Sequence, residues 1–348
     1  MEPTHHFFDY QEAFVLESGR KLPGFRLAYT TLGRLNASRS NVVWVCHALT
    51  GSPDVTGWWA PLFDAQGIFP PHRYFIVCAN TLGGCYGSTG PLSVNPESGE
   101  PYYHAFPDIS TRDVARAFDL LRQHLGLEKI HTLIGGSLGG QQVLQWAILQ
   151  PQVFQHVVPI ACNAQHSAWG IAFNEAQRMA IEADPTFKDR HPKAGLAGLK
   201  AARAIAMLSY RNYACYHNTQ QGVWPDTGRF RAATYQRHHG EKLAGRFNAF
   251  SYTLLSRMMD SHYVGRGHHS AEAALGSIQA KTLVIGIDSD ILFPLSEQEY
   301  LAAHIPGARL SVLSSLYGHD GFLAEFGQLQ QALSHFYSTK TQSVFLYE

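Results

Sequence analysis

The sequence has no excess of charge of either sign: Lys+Arg and Asp+Glu are both 27 in 348 residues. That balance excludes the broad basic field on which binding to nucleic acid or to an anionic membrane by bulk charge depends. No window reaches the ~18 consecutive apolar residues needed to span a bilayer. The opening MEPTHHFFDYQEAFVLESG carries acidic residues and no apolar stretch of signal-peptide length, so neither export nor membrane anchoring is expected. Cysteines are few, odd in number and far apart (Cys46, Cys78, Cys85, Cys162 and Cys215), and three lie in or beside apolar runs. This usage reads as a reduced, cytoplasmic protein without a disulfide framework. Histidine is abundant, at 19, yet no HExxH motif or Cys/His cluster at ligand spacing is present. Adjacent residues such as His238 and His239 point in different directions on a helix or strand, so no metal site is expected.

What is present is a large apolar fraction, 45% of residues, ample for a core of one large or two modest domains. Short β-branched runs (41–48, 73–80, 131–137 and 156–163) alternate with helical patterns, which predicts a mostly parallel sheet with helices on both faces. Between two of them, STRDVARAFDLLRQHLG (110–126) has apolar residues at helical spacing, a cap at Ser110 or Thr111 and a glycine stop at Gly126. From about Gln165 to about Gly276 the pattern changes to helix formers with scattered aromatics. KTLVIGID (281–288) and ARLSVLSS (308–315) then restore the strand signal. A segment of roughly 110 residues is too long for one crossover connection. The expected organisation is therefore a core of residues 1–164 and 277–348, with 165–276 as a helical cap inserted over it. There is no internal repeat or low-complexity tract.

The chemistry concentrates in LIGGSLGGQQ (133–142), where Ser137 stands between two pairs of glycines, after a strand and before a helix. G-x-S-x-G in that setting fits a sharp strand-to-helix turn that holds a nucleophilic hydroxyl outward. A serine hydroxyl is a poor nucleophile at neutral pH, so the reading demands a histidine base and an orienting carboxylate, in chain order Ser, Asp, His. VIGIDSDILFP offers Asp288 and Asp290, and VLSSLYGHDGF offers His319, each just past a late strand. Asp290 is preferred because Asp288 still belongs to the strand end. Acyl transfer also needs preorganised donors for a tetrahedral oxyanion, often worth ~3 kcal/mol each. The backbone N–H of Leu138, next to the nucleophile, and that of Leu49, in the loop VCHALTGS (45–52), are the candidates.

Taken together, HALTGS, NTLGGCYGSTGP (80–91), GGSLGG, SAWGIAFNEAQRMAIEADP (167–185), AARAIAMLSYR (201–211), SDILFP (289–294) and GHDGFL (318–323) resemble the homoserine O-acetyltransferases of the α/β-hydrolase superfamily, over nearly the whole chain. The resemblance implies the α/β-hydrolase fold and a triad on Ser137, Asp290 and His319. It also implies substrate-binding roles for Arg203, Tyr210 and Asp320, acetyl-CoA as co-substrate without a permanently bound cofactor, methionine biosynthesis as the setting, and a homodimer. Chemically the set is coherent: a guanidinium can grip an amino-acid carboxylate bidentately and an aspartate can pair its ammonium. Succinyl-CoA as donor, serine as acceptor, or water as acceptor in a plain esterase are the alternatives. One methylene is worth only ~1–3 kcal/mol in a pocket, and a simple ester needs no zwitterion clamp. Two positions depart from the family's common RFDANSY, which here reads RFNAFSY (246–252) with Asn248 and Phe250. The change bears on packing in the insertion and on the acyl-donor channel.

Overall fold

The computed structural model describes residues 2–338. Its strands are β1 (Thr4–Tyr10), β2 (Phe14–Val15), β3 (Lys21–Leu22), β4 (Phe25–Gly33), β5 (Val42–Cys46), β6 (Phe75–Ala79), β7 (Ile130–Gly136), β8 (Phe154–Ile160), β9 (Lys281–Ile287) and β10 (Arg309–Leu313). The helices are α1 (Ala60–Phe63), α2 (Thr111–His124), α3 (Leu138–Leu149), α4 (Ala168–Glu182), α5 (Leu196–Tyr210), α6 (Tyr213–Thr219), α7 (Arg231–Ala244), α8 (Ala249–Asp260), α9 (Ala271–Leu275), α10 (Leu295–His304) and α11 (Phe326–Ser338).

Eight strands form one sheet in the order β1-β4-β6-β5-β7-β8-β9-β10, and β2 pairs with β3 in a separate hairpin. From β6 to β10 every pairing is parallel, while β1 and β4 join antiparallel at one end. These two early strands are absent from the sequence reading. β1 is an edge strand with one buried residue, Phe8, so it lacks the apolar alternation by which strands are recognised.

The central strands are buried on both faces because they serve two cores. In β5, Val42, Trp44 and Cys46 pack into one core with residues of α2, α3 and α10, whereas Val43 and Val45 pack into the other with residues of α1 and α11. Trp44 meets Trp146 edge to face at 4.9 Å. Helix α2 starts on a capping box in which Ser110 and Asp113 satisfy each other's backbone. It ends as the glycine at 126 predicts: Gly126 has φ +63°, with Gly126 N–H on the Gln123 carbonyl and Leu127 N–H on that of Arg122. Between β8 and β9 the chain builds six helices, α4 to α9, and no strand among the described residues.

Candidate active site

β5 and β7 are neighbours, but the chain leaves β5 toward β6 and leaves β7 toward β8, in opposite directions across the sheet. The crevice beyond their C-terminal ends is where open α/β sheets hold ligands. Ser137 stands there, between β7 and α3, with φ +58° and ψ −127°. A positive φ on a residue with a Cβ costs about 1–3 kcal/mol and persists only where its surroundings impose it. The imposing contacts are visible. Ser137 N–H donates to the Ile160 carbonyl at 2.9 Å, and a Cβ on Gly139 would lie 2.1 Å from the Cys46 carbonyl oxygen. The first turn of α3 therefore rests directly on the end of β5. Ser137 itself is 5% exposed, and its hydroxyl donates to no described residue, His319 included.

His319 and Asp290 form a direct pair: imidazole Nδ1 to carboxylate Oδ2 is 2.6 Å. The other carboxylate oxygen, Oδ1, accepts the Leu292 and Phe293 backbone N–H groups at 2.8 and 2.9 Å, so Asp290 is fixed before it meets the histidine. With Nδ1–H donated to Asp290, Nε2 is the nitrogen left to take a proton. The ring lies against Phe293 at 5.1 Å and edge-on to Phe322 at 5.5 Å. Burial alone pushes the imidazolium of His319 down in pKa, but the Asp290 charge and hydrogen bond outweigh it, so the pKa lies above the usual value. Asp288 is different: it is exposed, and its Oδ1 accepts the Ser315 N–H at 3.1 Å. Phe322 links the two halves of the site, since a Cβ on Gly136 would lie 2.6 Å from the ring that flanks His319.

The Leu138 and Leu49 N–H groups donate to no described residue, although both residues are buried. Around Leu49 the backbone is locked. Ala48 O accepts both His47 Nδ1–H and Gly51 N–H at 2.8 Å, and His47 Nε2 accepts Thr81 N–H at 3.0 Å. The Ala48–Leu49 peptide is thus held rigid by a neutral histidine whose pKa burial lowers. The sequence reading missed His47, whose only signal is its place directly after a buried strand.

Of the other residues singled out, Tyr210 has its ring 5.8 Å from that of His319, and the Arg203 guanidinium stands 5.1 Å over the Tyr210 ring. Tyr210 is enclosed enough that burial raises its pKa. Asp320 follows the histidine and already has a partner the sequence reading did not name: Arg211 Nη2 lies 3.1 Å from its Oδ2. Asn248 caps α8 by accepting the Ser251 N–H at 2.8 Å, a task that Asn and Asp perform alike. Phe250 packs against Phe187, His104 and Tyr103 at 4.9 to 5.2 Å. Both departures are thus absorbed as a helix cap and an aromatic cluster. Among the described residues, no group of three or more His, Cys, Asp or Glu is placed to hold a metal ion, and no helix is long and apolar enough to cross a membrane.

Residues 41–326 match the family model for the alpha/beta hydrolase fold, the class of protein that this sheet and its strand-to-helix turn at Ser137 define. A homoserine O-acetyltransferase from Cyclobacterium marinum is 51% identical over 97% of this chain and 96% of its own length. The chain belongs to the homoserine O-acetyltransferase family of acyltransferases within the α/β hydrolases. Solved structures share the fold across different chemistries. A homoserine O-acetyltransferase from Bacillus anthracis superposes with a TM-score of 0.89 at 22% identity, covering 98% of this chain and 99% of that one. An acetylester hydrolase from Corynebacterium glutamicum gives 0.85 at 24%, covering 97% and 96%.

Proposed function

We propose that this protein transfers an acetyl group from acetyl-CoA to the hydroxyl of L-homoserine through an acetyl-Ser137 intermediate. Ser137 Oγ attacks the thioester carbonyl as its proton passes to Nε2 of His319, and the Leu49 and Leu138 N–H groups receive the oxyanion. The C–S bond breaks and CoA leaves as the thiol, taking that proton. The homoserine hydroxyl then gives its proton to His319 and attacks the acetyl-serine, and Ser137 leaves as the alcohol when the proton returns. Asp290 orients the imidazole and stabilises its cation. Arg203 and Tyr210 receive the amino-acid carboxylate and Asp320 its ammonium. The hydrogen bond from Ser137 to His319 closes as substrate fills the site, since catalytic hydrogen bonds tighten in the Michaelis complex.

The observation that carries this reading is the buried Asp290–His319 pair, with the groups suited to a zwitterion, Tyr210 and Asp320, beside the same imidazole. Residues 165–276 serve as a cap that excludes water from the acetyl-enzyme, without which transfer would lose to hydrolysis. Free, mostly buried cysteines suit a cytoplasmic setting, and the family resemblance suits a homodimer. No permanently bound cofactor is required, and the partners are the two small-molecule substrates. The test is thiol release from acetyl-CoA or succinyl-CoA with homoserine, serine or water as acceptor. Release with acetyl-CoA that depends on homoserine, together with an acetylated Ser137 peptide trapped without acceptor, is the expected result. Equal release in water alone makes the protein a hydrolase.

A further inference from the structure

A transferase and an ester hydrolase share this fold, so selection of an amino acid over water must rest on local groups rather than on the scaffold. The segment from Tyr317 to Asp320 carries the proposed base in its middle, and one side chain touches it on both sides of His319. Arg211 follows α5. Its Nη2 is 3.1 Å from Asp320 Oδ2, its Nη1 is 3.4 Å from the Tyr317 carbonyl, and its guanidinium lies 5.2 Å over the Tyr317 ring. Gly318, at φ +60°, lies so close beneath that a Cβ there would be 2.9 Å from the Tyr210 carbonyl oxygen. Both members of the ion pair have side chains 18% exposed, which places the contact out of bulk water, where a fixed geometry matters.

We propose that Arg211 is a positioning residue for acceptor selection: it holds one oxygen of Asp320 so that the other is presented to the ammonium of the incoming amino acid. The inference rests on the proposed transfer to an amino acid. Without Arg211 the carboxylate is free to rotate, the acceptor is poorly held, and water competes better for the acetyl-enzyme. Arg211 touches no reacting atom, so the first half-reaction is indifferent to it. Lysine keeps the charge but not the fork that spans Asp320 and Tyr317, and glutamine keeps neither.

The test compares wild type, R211K and R211Q in three measurements: acetylation of the enzyme by acetyl-CoA, KM for homoserine, and the fraction of acetyl-CoA turnover that ends in hydrolysis. The expected result is unchanged acetylation, a homoserine KM raised about tenfold or more in R211Q with partial recovery in R211K, and a larger hydrolysed fraction. Acetylation that falls in parallel with transfer means that Arg211 only supports the fold, and overturns the inference. So does an unchanged KM and partition. If wild type itself acetylates no amino acid, the proposed function fails and this inference goes with it, an outcome distinct from one in which only the variants behave unexpectedly.

Discussion

The proposed cap and the rest of the chain are oppositely charged. Residues 165–276 hold 14 Lys or Arg against 8 Asp or Glu, while the rest of the chain holds 13 against 19. On the sheet side the groups proposed for the chemistry are buried and fixed: a strained serine, a paired histidine and two N–H groups that donate to no described residue. The proposed cap supplies longer, partly exposed side chains, among them Arg203 and Arg211. The division suits the proposed reaction, in which bond making needs preorganisation while recognising anionic substrates needs positive charge. A net charge of zero therefore excludes a uniformly basic protein but not a positive face.

The sharpest way to break the comparison is to empty the sheet side. Ser137→Ala removes the nucleophile, and acetyl transfer is expected to fall by roughly 10⁴-fold or more with the fold intact by circular dichroism. Retained turnover would end the proposed mechanism. Next is the choice of carboxylate. Asp290→Asn leaves the shape but favours the wrong imidazole tautomer, with an expected loss in kcat of about 10⁴-fold, whereas Asp288→Asn stays near wild type. Because Asp290 is what lifts the His319 pKa, the acidic limb of the kcat/KM profile should lie above pH 6.5 in wild type.

A stability measurement tests how the two parts are joined. His262, just past α8, lies between them: Nε2 donates to the Asn163 carbonyl at 3.0 Å, and Nδ1 accepts from the Thr111 hydroxyl at 2.9 Å. Burial drives its pKa down to about 3, and those of His166 and His131 to about 4. Such a group is neutral in the folded state, so its contribution is complete above the unfolded value of 6.5. It is lost as pH falls, because the unfolded chain takes up protons that the folded one refuses. Between pH 6.5 and 4.5 His262 alone should cost roughly fiftyfold in the folding equilibrium. Denaturant midpoints that stay flat across that range would contradict this, and His262→Asn should reduce the slope.

How much of this was legible in the sequence differs between the same two regions. The parallel strands and Ser137, Asp290 and His319 could be placed because strand ends have strong local signatures: apolar runs closed by glycine or a turn carboxylate. The choice of Asp290 over Asp288 came from loop position, and the structure pairs His319 with Asp290. Arg211 and His47 were invisible for a physical reason. Their partners, Asp320 and Thr81, lie 109 and 34 positions away, and no periodicity encodes such a contact. β1 escaped because an edge strand with one buried side chain has no apolar pattern to read. Arg203 and Tyr210, seven apart on α5, look from spacing alone like any helix face, and only the family resemblance singled them out.

On the cap side, Arg203→Met removes the guanidinium over Tyr210. It should raise the homoserine KM by about ten- to hundredfold while leaving enzyme acetylation nearly unchanged. A parallel loss in acetylation would move Arg203 into the donor's site. The smallest expected effect tests the charge division itself. If the positive excess of residues 165–276 draws in the phosphates of CoA, the KM for acetyl-CoA should rise a few-fold between about 0.05 and 0.5 M salt, as the Debye length shrinks below the span of the face. A small neutral ester such as p-nitrophenyl acetate, acylating the same Ser137, should show no such rise. If both donors respond equally, salt is acting on the site and not on the approach, and the opposite charges of the two regions have no part in bringing the donor in.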